Sequence, residues 1–172
     1  MTELNMNDNE PGMQTAEPGR HGTVPGRQED AFRLQRFVEA QDPCFATVLA
    51  ELQQGAKRSH WMWFVFPQIA GLGHNTLARY YAISSIDEAR AYLAHELLAQ
   101  RLRQVCETIL ALPADTDPYY VFGHIDTLKL RSSMTLFDLV APDDIFARVL
   151  SRYYDGRRCG RTLRILGIPR AD

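Results

Sequence analysis

Leu97–Leu112 reads LLAQRLRQVCETILAL. Leu98, Leu102, Val105, Ile109 and Leu112 recur at three and four residues, the spacing of one helix face, and Pro113 stops the run. The same period extends outward in both directions. Asp30–Gln41 carries Phe32, Leu34, Phe37 and Val38. Asp42-Pro43 then sets an N-cap before a proline at the first helical position. Phe45, Val48, Leu49 and Leu52 form the next apolar face, and Gly55 follows as a C-cap. Asn75 is a cap for a helix to about Ile83 with Leu77, Tyr80 and Tyr81. Ser85-Ile86-Asp87-Glu88 matches a capping box and opens a helix carrying Ile86, Ala89, Tyr92 and Leu93.

After Pro113, Asp117-Pro118 opens a short helical turn through Phe122 that Gly123 ends. Asp126 is read as the cap of a helix to about Val140. Pro142 starts another helix, with Ile145, Phe146, Val149, Leu150 and Tyr153 inward and Gly156 at its end, and Arg161–Leu166 makes a last short one. No alternating hairpin pattern occurs. The fold class is mainly α: a single compact multi-helix domain over residues 29–168. Residues 1–28 are nearly free of large apolar side chains and are expected to be a disordered tail, because they cannot bury enough surface to offset their ordering entropy.

Composition narrows the function classes. At 172 residues with 45% hydrophobic and 23% charged content, the chain fits one globular domain with a real core. A net charge of −2 leaves no global basic footprint for nucleic acid. Cys44, Cys106 and Cys159 are scattered, without a C-x-x-C, and read as ordinary free thiols of a cytoplasmic protein. No apolar run has membrane-spanning length, so no membrane partner is expected. His21, His60, His74, His95 and His124 show no metal-ligand spacing, and there is no P-loop or G-x-G-x-x-G, so neither metal nor cofactor is expected. Arg157, Arg158, Arg161 and Arg164 lack interleaved aromatics and read as a solvated helix face.

Two stretches carry candidate chemistry. Lys57–Gly73 reads KRSHWMWFVFPQIAGLG and holds both tryptophans of the chain. Six large apolar residues, Trp61–Phe66, follow two cations and a histidine and are closed by Pro67. Such a run fits an extended segment or a short helix alike. An aromatic anchor with charged groups at its lip can build a pocket for a planar or anionic ligand. The alternative is that both tryptophans are core and the cations are solvated. Gly71-Leu72-Gly73 is a turn that permits a tight backbone path near a ligand. The second stretch, Asp126–Phe137, reads DTLKLRSSMTLF. It places Lys129 and Ser133 on the helical row of Leu136 and Val140, where inward polar groups need partners or a wet cavity. A serine–lysine nucleophile pair, anion binding by Lys129 and Arg131, and a solvated helix end are the three readings of that row.

These residues resemble the bacterial family catalogued as domain of unknown function 1810, whose members sometimes carry the label calpastatin. The resemblance rests on Phe37–Pro43, Lys57–Gly73, Tyr81-Ala82-Ile83, Glu88–His95, Arg101-Leu102, Phe122-Gly123, Asp126 and Lys129–Phe137. It implies a mostly α-helical single domain and no established activity, and it suggests that the two polar-bearing motifs wall one groove. The chain departs from the family pattern at Glu96 and Gln100, which bears only on the local shape of the helix start near His95. No residue supports the protease inhibition that the label implies.

The site expected from this reading joins Lys57, His60, Trp61, Trp63 and Gln68 to Asp126, Lys129, Ser132 and Ser133. Its ligand would be small, planar and anionic, nucleotide-like for example. Aromatics would stack on it, cations would hold its phosphate or carboxylate, and His60 would serve as acid or base if a reaction follows. Whether the domain is an enzyme is left open. The alternative function is a non-enzymatic interaction or homodimerisation module whose aromatic run is core.

Overall fold

Nine helices and no strand run through residues 30–170, the part of the chain that the computed structural model describes. They are α1 (Gln35–Gln41), α2 (Phe45–Gln53), α3 (Met62–Val65), α4 (Thr76–Tyr80), α5 (Ile86–Ala94), α6 (Glu96–Leu110), α7 (Pro118–Val140), α8 (Ile145–Tyr154) and α9 (Gly160–Ile165). The mainly α fold class holds. The expectation for residues 1–28 falls outside the described residues.

Short polar side chains set many of the helix starts, because the first N–H groups of a helix have no partner within it. Asn75 accepts from Ala78 N–H at 2.8 Å, and Asp117 accepts from Tyr119 N–H at 2.8 Å. Ser85 accepts from Glu88 N–H at 3.2 Å, as the capping box requires, but Glu88 reaches back one residue further and takes the N–H of Ser84. The other Glu88 oxygen meets Arg36 at 2.9 Å. That buried guanidinium also donates to the carbonyls of Phe32, Arg33, Tyr80 and Ala82, pinning α1 to the α4–α5 connection.

Several boundaries differ from those read in the sequence. Helix α1 begins at Gln35, because Asp30 caps from a distance, accepting from Leu34 and Gln35 N–H groups at 2.6 and 2.9 Å. Asp42 is not an N-cap. The chain stays helical through it (φ −51, ψ −47), and its carboxylate pairs with Arg101 at 2.8 Å. Pro142 precedes α8, whose cap is Asp144. Trp61–Phe66 resolves as the single turn α3. Asp126 lies inside α7, because the helix resumes directly after a break at Gly123 (φ 79, ψ 173), a backbone conformation that a side chain disfavours.

The core runs along a chain of rings. Phe37 meets Tyr92 edge-on at 5.1 Å, Tyr92 meets Phe137 at 5.3 Å, and Phe137 meets Phe146 at 5.6 Å. Helix α6 turns Leu98, Leu102, Val105 and Ile109 into this core, as its spacing predicts, and packs on α2, α5 and α8. Helix α7 packs on α5, α8 and α9, which brings the C-terminal residues beside the second polar motif.

Candidate functional site

The Lys57–Gly73 segment is held in place by carboxylates. Glu51, near the end of α2, accepts from the N–H groups of Arg58 (2.9 Å) and Ser59 (3.2 Å), from the Trp61 indole N–H (2.8 Å) and from the Ser59 hydroxyl. Burial works to raise the Glu51 pKa. The four donors outweigh it and bring the pKa down to about 2. Asp126 acts likewise from α7. Its carboxylate lies 2.8 Å from Lys57 and 3.0 Å from Lys129. Burial again opposes ionisation, and the two lysines overcome it, holding Asp126 below the usual carboxylate range. The Lys57 backbone N–H also reaches Val121 O at 2.8 Å, so the two motifs are stitched together by backbone and side chain.

A second set of bonds fastens residues 157–159 to α7. Arg131 donates to the carbonyls of Arg157 (2.8 Å) and Arg158 (3.0 Å). The Cys159 N–H donates to Thr135 Oγ1 at 2.8 Å, and Arg158 donates twice to the buried carboxylate of Asp138, at 2.9 and 2.6 Å. Arg131, Thr135 and Asp138 recur at four and three residues, so one stripe of α7 is committed to this chain segment. The Ser132 hydroxyl lies 3.1 Å from Leu128 O and 3.3 Å from the Cys159 sulfur, so its single proton serves both acceptors. Burial would raise the Cys159 thiol. The Ser132 and Thr162 hydroxyls and the N–H groups of Thr162 and Arg161 favour the thiolate more strongly, and the pKa falls below the ordinary thiol value.

Between these two assemblies lies a cleft of about 390 Å³. It is lined by Trp63, Gln68, Leu72 and Gly73 of the first motif, by Ile125, Leu128, Lys129 and Ser132 of α7, and by Cys159, Gly160 and Arg161. Gly73 is required by close approach, since a Cβ there would stand 2.4 Å from Ala78 Cβ. Lys129 Nζ lies 4.9 Å from the Trp63 ring centroid, within cation–π range. Arg131 and Arg170 complete a lining that holds four cations and no carboxylate.

Compared with families of known sequence, residues 31–166 match the one described as Protein of unknown function (DUF1810). The chain belongs to this family. The crystal structure of the conserved hypothetical protein Rv1873 from Mycobacterium tuberculosis, at 1.38 Å, is 45% identical with a TM-score of 0.78. The match covers 81% of this chain and 100% of that one. No curated protein matches.

Within this family member, the residues singled out in the sequence separate into three groups. Trp63, Gln68, Lys129 and Ser132 line the cleft. Lys57 and Asp126 stand behind it. Lys57, its side chain 8% exposed, is enclosed by Asp126, the Ser59 carbonyl at 2.6 Å and the Trp61 ring at 4.9 Å. The remaining three are not brought to the cleft. Trp61 is 2% exposed and bonded through its indole to Glu51, so it is core. Ser133 is fully buried without a hydrogen-bond partner and faces the core, which removes the serine–lysine nucleophile arrangement. His60 is exposed and lines no part of the cleft.

Cys159, Gly160, Arg161 and Arg170 escaped the sequence reading. They lie far along the chain from both motifs, and the arginines there resemble a solvated face. Arg158 is exposed as expected, but its guanidinium is tied to the buried Asp138. A usable signal was the spacing of Arg131, Thr135 and Asp138, a polar row on the stretch of α7 that is mostly buried.

Proposed function

We propose that the cleft binds a small ligand with a planar apolar part and an anionic group, a nucleotide-like metabolite for example. The observation that carries this reading is the lining itself, four cations and no carboxylate beside the Trp63 ring. Arg131 is committed to the 157–158 carbonyls and Lys129 to Asp126. Arg161 and Arg170 have no ion-pair partner among the described residues, so the anionic group belongs beside them. Trp63, Leu72 and Leu128 offer the apolar surface for the planar part. Three free thiols and the absence, among the described residues, of a helix long and apolar enough to cross a membrane support a cytoplasmic setting.

A second reading rests on the rim. Ile125 is 67% and Leu128 54% exposed, and Ile165 is also open, which favours a protein partner or a second copy of the chain on the same face. Mass spectrometry of small molecules extracted from freshly purified protein separates the two. The ligand reading expects an aromatic phosphate or carboxylate that Arg161→Ala fails to retain. A clean extract together with a stable dimer in solution would support the interaction module instead.

A further inference from the structure

The lining of the cleft carries a sulfur that anion binding alone does not use. Cys159 lines the cleft wall, and its position is set three times over: by its N–H on Thr135, by the Arg131 and Arg158 bonds just before it, and by the Ser132 hydroxyl on the sulfur itself. Thr162 stands one turn further along α9. Its hydroxyl is fully buried and makes no hydrogen bond among the described residues, yet lies near enough to favour negative charge on the same sulfur. Arg161 also lines the cleft. Gly160 between them lets the Arg170 guanidinium press against the backbone, where an added Cβ would lie 2.0 Å from its nearest nitrogen. The other two thiols have no such surroundings. Cys106 is buried beside the Met134 sulfur at 3.6 Å, and Cys44 donates to the Ala40 carbonyl at 3.4 Å on α1.

We propose that Cys159 is a thiol–disulfide exchange site for small anionic disulfides, which the cationic cleft collects and orients onto its sulfur. The inference rests on the anion-binding reading above. Cys159 gives its proton to water, and the thiolate attacks one sulfur of the incoming disulfide. A new S–S bond forms to Cys159 as the old one breaks, and the departing half leaves as a thiolate. Cys159 is oxidised and the incoming disulfide is reduced by the same two electrons, so no further oxidant is needed. The Ser132 hydroxyl stabilises the attacking thiolate, and Arg161 and Arg170 attract the anionic reagent.

The test uses the full chain and two small disulfides of opposite charge. One is 5,5′-dithiobis(2-nitrobenzoate), planar and anionic, and the other is cystamine, which is cationic. Peptide mass mapping at short times reports which thiol has reacted. The expected result is that Cys159 reacts before Cys44 and Cys106, and that its rate ratio of anionic to cationic reagent exceeds by roughly tenfold or more the ratio for free cysteine, which already prefers the better aryl leaving group. Arg161→Ala, or raising salt to about 0.5 M, should shrink that preference several-fold. Cys159 reacting no faster than Cys44, or showing only the reagent ratio of free cysteine, overturns the proposal. A titration of the wild type with adenosine 5′-monophosphate keeps the two ideas apart. Binding beside an inert Cys159 thiol overturns the exchange site alone, whereas absence of both anion binding and charge preference overturns both.

Discussion

Trp61 and Trp63 stand two residues apart on the same turn and have opposite surroundings. Around Trp61 every strong group is matched: its indole N–H meets Glu51, and its ring meets Lys57, which is itself held by Asp126. Trp63 has its ring half-buried against Lys129 and a buried indole N–H with no partner among the described residues, and it opens on a cleft lined by two guanidiniums without counter-ions among those residues. The first region is complete as folded, and the second is not. Saturated hydrogen bonding marks scaffold, and unmatched charge in an apolar recess marks a place for something else. Aromatic residues alone do not distinguish the two, since both tryptophans belong to one motif.

The comparison breaks most visibly at Trp61. Trp61→Ala should cost about 3–5 kcal/mol, as for a large buried aromatic, whereas Trp63→Ala should cost about 1–2 kcal/mol because its ring is only partly buried. Thermal or denaturant melts of both variants check this, and equal losses would erase the distinction.

Glu51→Ala should follow, at about 2–3 kcal/mol, because it leaves the Trp61 N–H and two backbone N–H groups without their charged acceptor. The same carboxylate predicts a pH dependence. Its pKa is depressed on folding, so its contribution is fully present above the unfolded value of about 4.3 and is lost as pH falls towards about 2. Urea midpoints between pH 6 and 2.5 should therefore fall more steeply for the wild type than for Glu51→Gln.

Asp126→Asn should cost about 1–3 kcal/mol, since it leaves the enclosed Lys57 ammonium without a counter-ion. It also releases Lys129, so the cleft becomes more cationic and anion affinity should hold or rise while stability falls. A parallel loss of both would place Asp126 in the binding surface. The smallest effects belong to the exposed groups. Arg161→Ala and His60→Ala should each shift stability by no more than about 0.5 kcal/mol. Only Arg161→Ala should weaken anion binding, by about 1–3 kcal/mol for a lost charged hydrogen bond.

The helical architecture was legible because apolar spacing and capping chemistry are local. Leu98 through Ile109, the Ser85 cap and the Gly123 break all stand where the sequence puts them. Boundaries slipped where a tertiary partner competed for the capping residue: Asp42 went to Arg101, and Asp126 to Lys57 and Lys129. In the candidate site, the adjacency of the two motifs followed from the resemblance. Which of their residues face the cleft depended on α3 being a single helical turn, which sends Trp61 and Trp63 to different surroundings. The contribution of Cys159, Arg161 and Arg170 could not be read locally, because it depends on α9 folding back onto α7.

The central claim is that the cleft beside Trp63, and not the surroundings of Trp61, receives a planar anion. The chain has two tryptophans, so each can be isolated. Fluorescence titration of Trp61→Phe and Trp63→Phe with adenosine 5′-monophosphate, and with neutral adenosine as the control, tests it directly. A saturable change with the nucleotide in Trp61→Phe, where only Trp63 reports, with adenosine far weaker and the effect lost on adding Arg161→Ala, is the predicted result. A saturable change seen only in Trp63→Phe, or one that is the same for adenosine and its phosphate, would contradict the account.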